Sequence, residues 1–200
     1  MARTVGSDGA RTEEAIRLAA IDLIAAKGFE TVTLRALAEH VGLQAGSLYR
    51  YFPSKNDLLM TIIVKHMDDL FAQWSAVEPA SASASERLNA FVEFHVRYHS
   101  AKPKEVFIAN MEMRSVSPHD RKRVVAMRKR YEDILHQILQ DGIDEGQFSV
   151  PDVRVATYAI LAMLTGLTAW YQEGGRLSKK ELVACYLKLV MTGVGRARET

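Results

Sequence analysis

"TVTLRALAEHVGLQAGSLYRYFPSK", residues 31–55, decides the fold. Thr33 has the chemistry of an N-cap, and Leu34, Leu37, Ala38 and Val41 follow at the spacing of one helix face. Gly42 ends that helix, because glycine enters a left-handed turn at little cost. "GLQ" is then a three-residue turn, and "QAGSLYRYF" is a short helix whose Leu48 and Phe52, one turn apart, face inward. Pro53 and Ser54 open a longer helix, with Asp57 placed as in a capping box. Two short helices about a tight turn, braced by longer neighbours, make a helix-turn-helix.

The same stretch carries its own chemistry. A helix that enters a DNA major groove needs small or hydrogen-bonding residues at its leading end, and Gln44, Ala45, Gly46 and Ser47 meet that need. Tyr49, Arg50 and Tyr51 flank the groove, where hydroxyl and guanidinium groups reach phosphate oxygens. Lys55 falls in the first turn of the next helix, where free N–H groups and the dipole already favour a phosphate. The local charge is modest: Arg35, Arg50, Lys55 and Lys65 stand against Glu39 and Asp57, a net of +2 over residues 31–65. Affinity is therefore expected to depend on two heads acting together.

Upstream, Thr12 is the expected N-cap of a first helix. Glu13 and Glu14 suit its dipole, and Ala15, Leu18, Ala19 and Leu23 line its face, with Ile16 and Ala20 widening it. Gly28 closes it. Residues 1–11 lack the apolar core of a secretory signal and are expected to form a flexible arm on a cytoplasmic protein. The single cysteine, Cys185, allows no intramolecular disulfide. With 200 residues, 48% hydrophobic and a net charge of +2, the chain can bury a full core, and its bulk charge does not by itself argue for nucleic acid.

Downstream the pattern stays helical, so the expected fold class is all-α: a three-helix head over residues 12–56, then a larger helical domain over 57–200, with helix 55–77 connecting them. "EPASASASE" (residues 78–86) is a small-residue connector. "SERLNAFVEFHVRYHSAK" sets Leu88, Phe91, Val92, His95, Tyr98 and His99 on one face. "KEVFIANMEMRSV" sets Phe107, Asn110, Met111 and Arg114 on another. Apolar faces broken by His, Asn and Arg suit a pocket for a small molecule with polar groups. The pair His95 and His99 has i, i+4 metal-ligand spacing but no third ligand nearby, so no metal and no cofactor is expected.

Residues 102–130 carry nine cations and three acids, a net of +6, which suits either a solvated surface or the phosphates of an anionic ligand. "VATYAILAMLTGLTAWY" (155–171) has no charge but is short of the roughly 18 to 20 residues of a membrane span. Together with the capped helix after "SKKE", apolar from Leu182 to Val194, it suits a four-helix dimer interface through residues 152–172 and 178–194.

On these residues the N-terminal part, Thr12 to about His66, resembles the TetR family of bacterial regulators. The resemblance implies a homodimeric repressor of double-stranded DNA at an inverted-repeat operator, released by a small-molecule effector. It implies phosphate roles for Thr33, Tyr49 and Lys55, and base or groove contacts for Gln44, Ala45, Gly46, Ser47 and Arg50. Tyr51 is either a phosphate contact or core. Ala45 departs from the polar residue common at its position, which shifts base reading to Gln44, Ser47 and Arg50. "TAWYQEGGRLSKKEL" (168–182) also resembles the acyl-CoA-responsive subgroup, adding Trp170 to the ligand-binding set. A neutral hydrophobic effector, controlling an efflux or catabolic operon, is the alternative. No Walker loop, GxGxxG or catalytic cysteine setting supports an enzyme, and an architectural DNA binder needs no large second domain.

Overall fold

The structure is a computed structural model that describes residues 7–79 and 81–195. Those residues are all-α, with nine α-helices and no strand. In chain order they are α1 (Ser7–Lys27), α2 (Leu34–His40), α3 (Ala45–Leu48), α4 (Lys55–Val77), α5 (Ala84–Ala101), α6 (Pro103–Met111), α7 (Pro118–Asp144), α8 (Val153–Gly166) and α9 (Lys179–Gly193). Short 3-10 turns follow α6 and α8. No helix among the described residues is long and apolar enough to cross a membrane.

The chain forms two compact units. The head unit comprises the residues up to His66 together with Lys104–Val124. The second comprises Met67–Pro103 and the chain from Val125. This differs from the division expected at residues 56 and 57. The first turns of α4 bury Leu58, Leu59, Ile62 and Ile63 in the same core as Ile16, Leu37, Leu48 and Phe52. Ile108, Val116 and Val124 join that core from far along the chain, an assembly that local periodicity cannot reveal.

Within the head, Thr33 caps α2 by accepting from the Ala36 N–H at 3.1 Å, and Gly28 and Gly42 adopt φ of 79° and 70°. Both glycines are thus required by the turns they make. The start of α1 differs from expectation. It begins at Ser7, so Thr12 lies inside it and is not its cap. The reason is that Ala10 and Arg11 are good helix formers and no proline interrupts them. Of the expected arm, residues 7–11 are helical and residues 1–6 lie outside the described residues. The short helix also ends sooner than expected, at Leu48. Beyond it the chain tightens into turns, with the Arg50 N–H on the Ser47 carbonyl at 3.3 Å and the Tyr51 N–H on the Leu48 carbonyl at 2.9 Å, and Pro53 disfavours helical backbone at Phe52.

In the second unit α5 packs against α8 and α9 and is buried around most of its circumference. Its start carries a capping box, Ser83 with Glu86, hidden in what reads as a featureless connector. The expected box at Ser178 and Glu181 opens α9. α8 buries Thr157, Ile160 and Leu164 and leaves its other side outward, with Val155 64% and Tyr158 48% exposed.

Candidate nucleic-acid interface and effector region

The leading end of α3 is open. Gln44 stands at its N-cap with no side-chain hydrogen bond to the helix, and Gln44 and Gly46 are exposed. A Cβ at Gly46 would meet nothing within 4 Å, and its backbone is not left-handed, so the fold itself does not demand a glycine there. Ala45 and Ser47 are half-buried beside it. Leu48 and Phe52 anchor the element from below, at 0% and 2% exposure. Tyr49 and Arg50 project outward, whereas Tyr51 packs against the head core.

Lys55 begins α4, whose first turn is capped by Ser54 accepting from the Asp57 N–H at 3.1 Å. The Lys55 ammonium donates to the Glu30 carbonyl at 3.1 Å and lies 4.1 Å above the Phe29 ring. An ammonium has three donors, so this contact leaves two for another acceptor. Thr33 is exposed, and its oxygen is already the α2 cap.

The expected ligand-binding residues are drawn from both units. Phe91, His95, Tyr98 and His99 are buried together in the second unit. Phe107, Asn110, Met111 and Arg114 belong to the head unit. There α6 turns Val106, Ile108 and Ala109 inward and leaves Phe107 and Met111 at 41% and 60% exposure. Arg114 is exposed, and the Asn110 amide bonds back to the Val106 carbonyl at 2.9 Å. Trp170 is in the second unit, 55% exposed, and meets the Tyr171 ring edge-on.

The buried group in the second unit is a hydrogen-bonded aromatic cluster. His95 Nδ1 lies 3.1 Å from the Tyr131 hydroxyl and Nε2 lies 3.2 Å from the Thr165 hydroxyl. His99 Nδ1 donates to the His95 carbonyl at 3.0 Å, and the two imidazoles stack at 3.7 Å. Burial pushes the Tyr131 phenol well above its ordinary range, and the neighbouring Tyr98 adds to the shift. Trp74 meets Phe91 edge-on at 5.2 Å, and its indole N–H is buried without an acceptor. Trp74, Tyr131 and Thr165 were not legible as site residues. They come from three different helices, α4, α7 and α8, and each fits an ordinary core position on its own.

The basic run is less free than its sequence suggests. Lys102 pairs with Asp69 at 3.2 Å, Lys104 with Asp22 at 2.7 Å and Lys129 with Asp133 at 3.1 Å. Arg121 donates to the Met113 carbonyl, and Arg130 stacks over Phe71. No group of three or more His, Cys, Asp or Glu residues is placed to hold a metal among the described residues.

An open short helix over a buried hydrophobic anchor, with the capped start of α4 beside it, has the form of a helix-turn-helix head. The chain belongs to the TetR family. The family model for bacterial regulatory proteins of the tetR family matches residues 16–62, and that for the tetracyclin repressor-like C-terminal domain matches residues 81–194. The chain is 30% identical to the HTH-type transcriptional repressor KstR2 of Mycobacterium tuberculosis, across 97% of this chain and 98% of that one. A tetR-family regulatory protein from Rhodococcus RHA1 superposes with a TM-score of 0.87 at 25% identity, over 93% of this chain and 98% of that one. AibR, solved in complex with isovaleryl coenzyme A and operator DNA, superposes with a TM-score of 0.80 at 25% identity, over 88% and 96% of the two chains.

Proposed function

We propose that the protein is a homodimeric, cytoplasmic repressor that occupies an inverted-repeat operator and leaves it when an acyl-coenzyme A or similar acyl thioester binds. The open leading end of α3 carries the DNA part of this reading. Gln44, Ser47 and Arg50 read base edges. Thr33, Tyr49 and Lys55 hold phosphates and so set register without setting sequence.

Dimerisation uses the outward sides of α8 and α9. Val155, Tyr158, Ala159, Ala162 and Gly166 recur at helical spacing on the exposed side of α8, and Ala184, Cys185, Leu189 and Gly193 do so on α9. Such an exposed apolar stripe of small residues suits close helix approach in a symmetric four-helix contact.

The effector occupies the aromatic second unit. The similarity to AibR, solved with isovaleryl coenzyme A, supports an acyl thioester. A neutral hydrophobic effector is favoured by one observation: Lys102, which lies over the Tyr98 ring, is already paired with Asp69. Either ligand acts by binding the two states of the repressor unequally, a coupling of typically 1–3 kcal/mol. The continuous helix α4 is the proposed lever. Calorimetric titration with CoA thioesters, free CoA and the matching free acids tests the effector. Heat from thioesters alone, with matching loss of operator binding, is expected. Binding of a neutral compound with none from any thioester would replace the acyl-CoA reading.

A further inference from the structure

Glu112 sits in the 3-10 turn after α6, only 4% exposed, in the core of the head unit. A carboxylate is an expensive group to bury, and it persists where it satisfies donors that nothing else reaches. Its Oε1 accepts from the Phe29 main-chain N–H at 3.1 Å. Its Oε2 lies 3.2 Å from the Ser115 hydroxyl, which also lies 3.2 Å from Glu30 Oε1, so one hydroxyl proton bridges two carboxylates.

Phe29 and Glu30 are also the two residues that hold Lys55. The Lys55 ammonium donates to the Glu30 carbonyl at 3.1 Å and rests 4.1 Å above the Phe29 ring. The carboxylate that holds the Phe29 N–H therefore fixes the platform on which the ammonium rests. The platform needs such a grip, because it is a short loop between Gly28 and the start of α2 and has few bonds of its own. Its Val32 N–H reaches the Phe29 carbonyl at 3.2 Å, and Thr31 bonds back toward the end of α1.

We infer that Glu112 is a positioning residue for DNA binding: it fixes the Phe29–Glu30 turn so that Lys55 presents its remaining N–H donors to a phosphate. This rests on the reading of Lys55 as a phosphate contact. Glu112 itself touches no DNA. Its removal acts on affinity through Lys55, without changing which bases are preferred.

The test uses the full chain and a labelled duplex of mixed sequence, titrated across a range of salt, since phosphate contacts are sequence-independent. Glu112→Met keeps volume and removes both acceptors. Glu112→Gln keeps one oxygen for the Phe29 N–H. Glu112→Met and Lys55→Ala are each expected to weaken binding by about tenfold and to lower the salt slope by about one ion. The double variant is expected to fall no further, and Glu112→Gln to stay near the parent. Ser115→Ala loosens the same bridge at a half-buried site and serves if Glu112→Met does not fold. Its loss is expected to run the same way and to vanish in the Lys55→Ala background. Losses that multiply in the double variant, or an unchanged salt slope in both Glu112→Met and Ser115→Ala, would overturn the inference. So would a Glu112→Gln variant as weak as Glu112→Met. An unchanged slope in Lys55→Ala alone would instead remove the phosphate role of Lys55, and the inference with it.

Discussion

His95 Nδ1 and the Tyr131 hydroxyl meet at 3.1 Å with both side chains sealed from solvent. Each is the other's partner, and the Thr165 hydroxyl completes the imidazole at 3.2 Å. A buried polar pair of this kind adds little net stability while intact and costs far more when halved. Tyr131→Phe removes the hydroxyl from this buried hydrogen bond and is expected to destabilise the protein by about 1–3 kcal/mol. Trp74→Phe, in the same cluster, removes an indole N–H that has no acceptor. Relief of that orphan opposes the lost contact area, so a smaller change is expected, under about 1.5 kcal/mol. Denaturant melts of the two variants check the order. A Trp74→Phe loss larger than that of Tyr131→Phe would contradict it.

Base reading and phosphate positioning are separable at the head. Gln44→Ala and Ser47→Ala are expected to relax base preference, by roughly 1–3 kcal/mol for a good bidentate contact. Tyr49→Phe is expected to weaken all sequences alike, since its half-exposed phenol lies outside the reading end of α3. Binding to a randomised duplex pool, sequenced before and after selection, distinguishes the two. A changed sequence preference in Tyr49→Phe would reassign that residue.

The head was legible because its information is local. Thr33, Gly28, Gly42, Leu48 and Phe52 each announce a cap, a turn or a core contact within one helical turn of their neighbours, and all take those places. Thr12 misleads for the same reason, since its capping chemistry is local while the helix continues to Ser7. The chain after α4 was legible only in part, including the segment Lys104–Val124 that joins the head unit. The inward face of α5 follows from spacing. The face of α6 does not, because Phe107 and Met111 are more apolar than the residues the fold buries beside them, such as Ala109. Glu112 has no local signature at all, because its partner Phe29 lies 83 residues away.

Acid should weaken the fold in a defined direction. Asp120 is held below the usual carboxylate range by hydrogen bonds from Ser117 and then Asn56. Asp141 is held below it by Gln137 and then Arg87. Glu86 and Glu181 are lowered by the serines of their capping boxes. A depressed folded-state pKa contributes stability that is present above the unfolded value and lost as pH falls through the folded one. Melting temperature is therefore expected to decline from about pH 5 downward, through the ordinary carboxylate range near 4 and below it. Asp120→Asn and Asp141→Asn together should flatten that decline. An unchanged acid limb in the double variant would show that other groups govern it.

The outward side of α8 supplies the last prediction. Tyr158 and Val155 are 48% and 64% exposed, and Ala159, Ala162 and Gly166 continue the same side as a run of small residues. No charged residue lies on it between Val155 and Gly166. Small residues there allow two helix backbones to approach closely, and a long cation at the centre would forbid that approach twice over in a twofold contact. Ala162→Arg adds its bulk to solvent in the single chain, where position 162 is exposed, so the fold of each protomer should survive. Sedimentation is expected to show a monomer, and duplex binding should fall sharply, because one head with few ionic contacts holds DNA weakly. Ala162→Ser, small and uncharged, should leave both properties intact. A stable dimer in Ala162→Arg would move the interface away from α8.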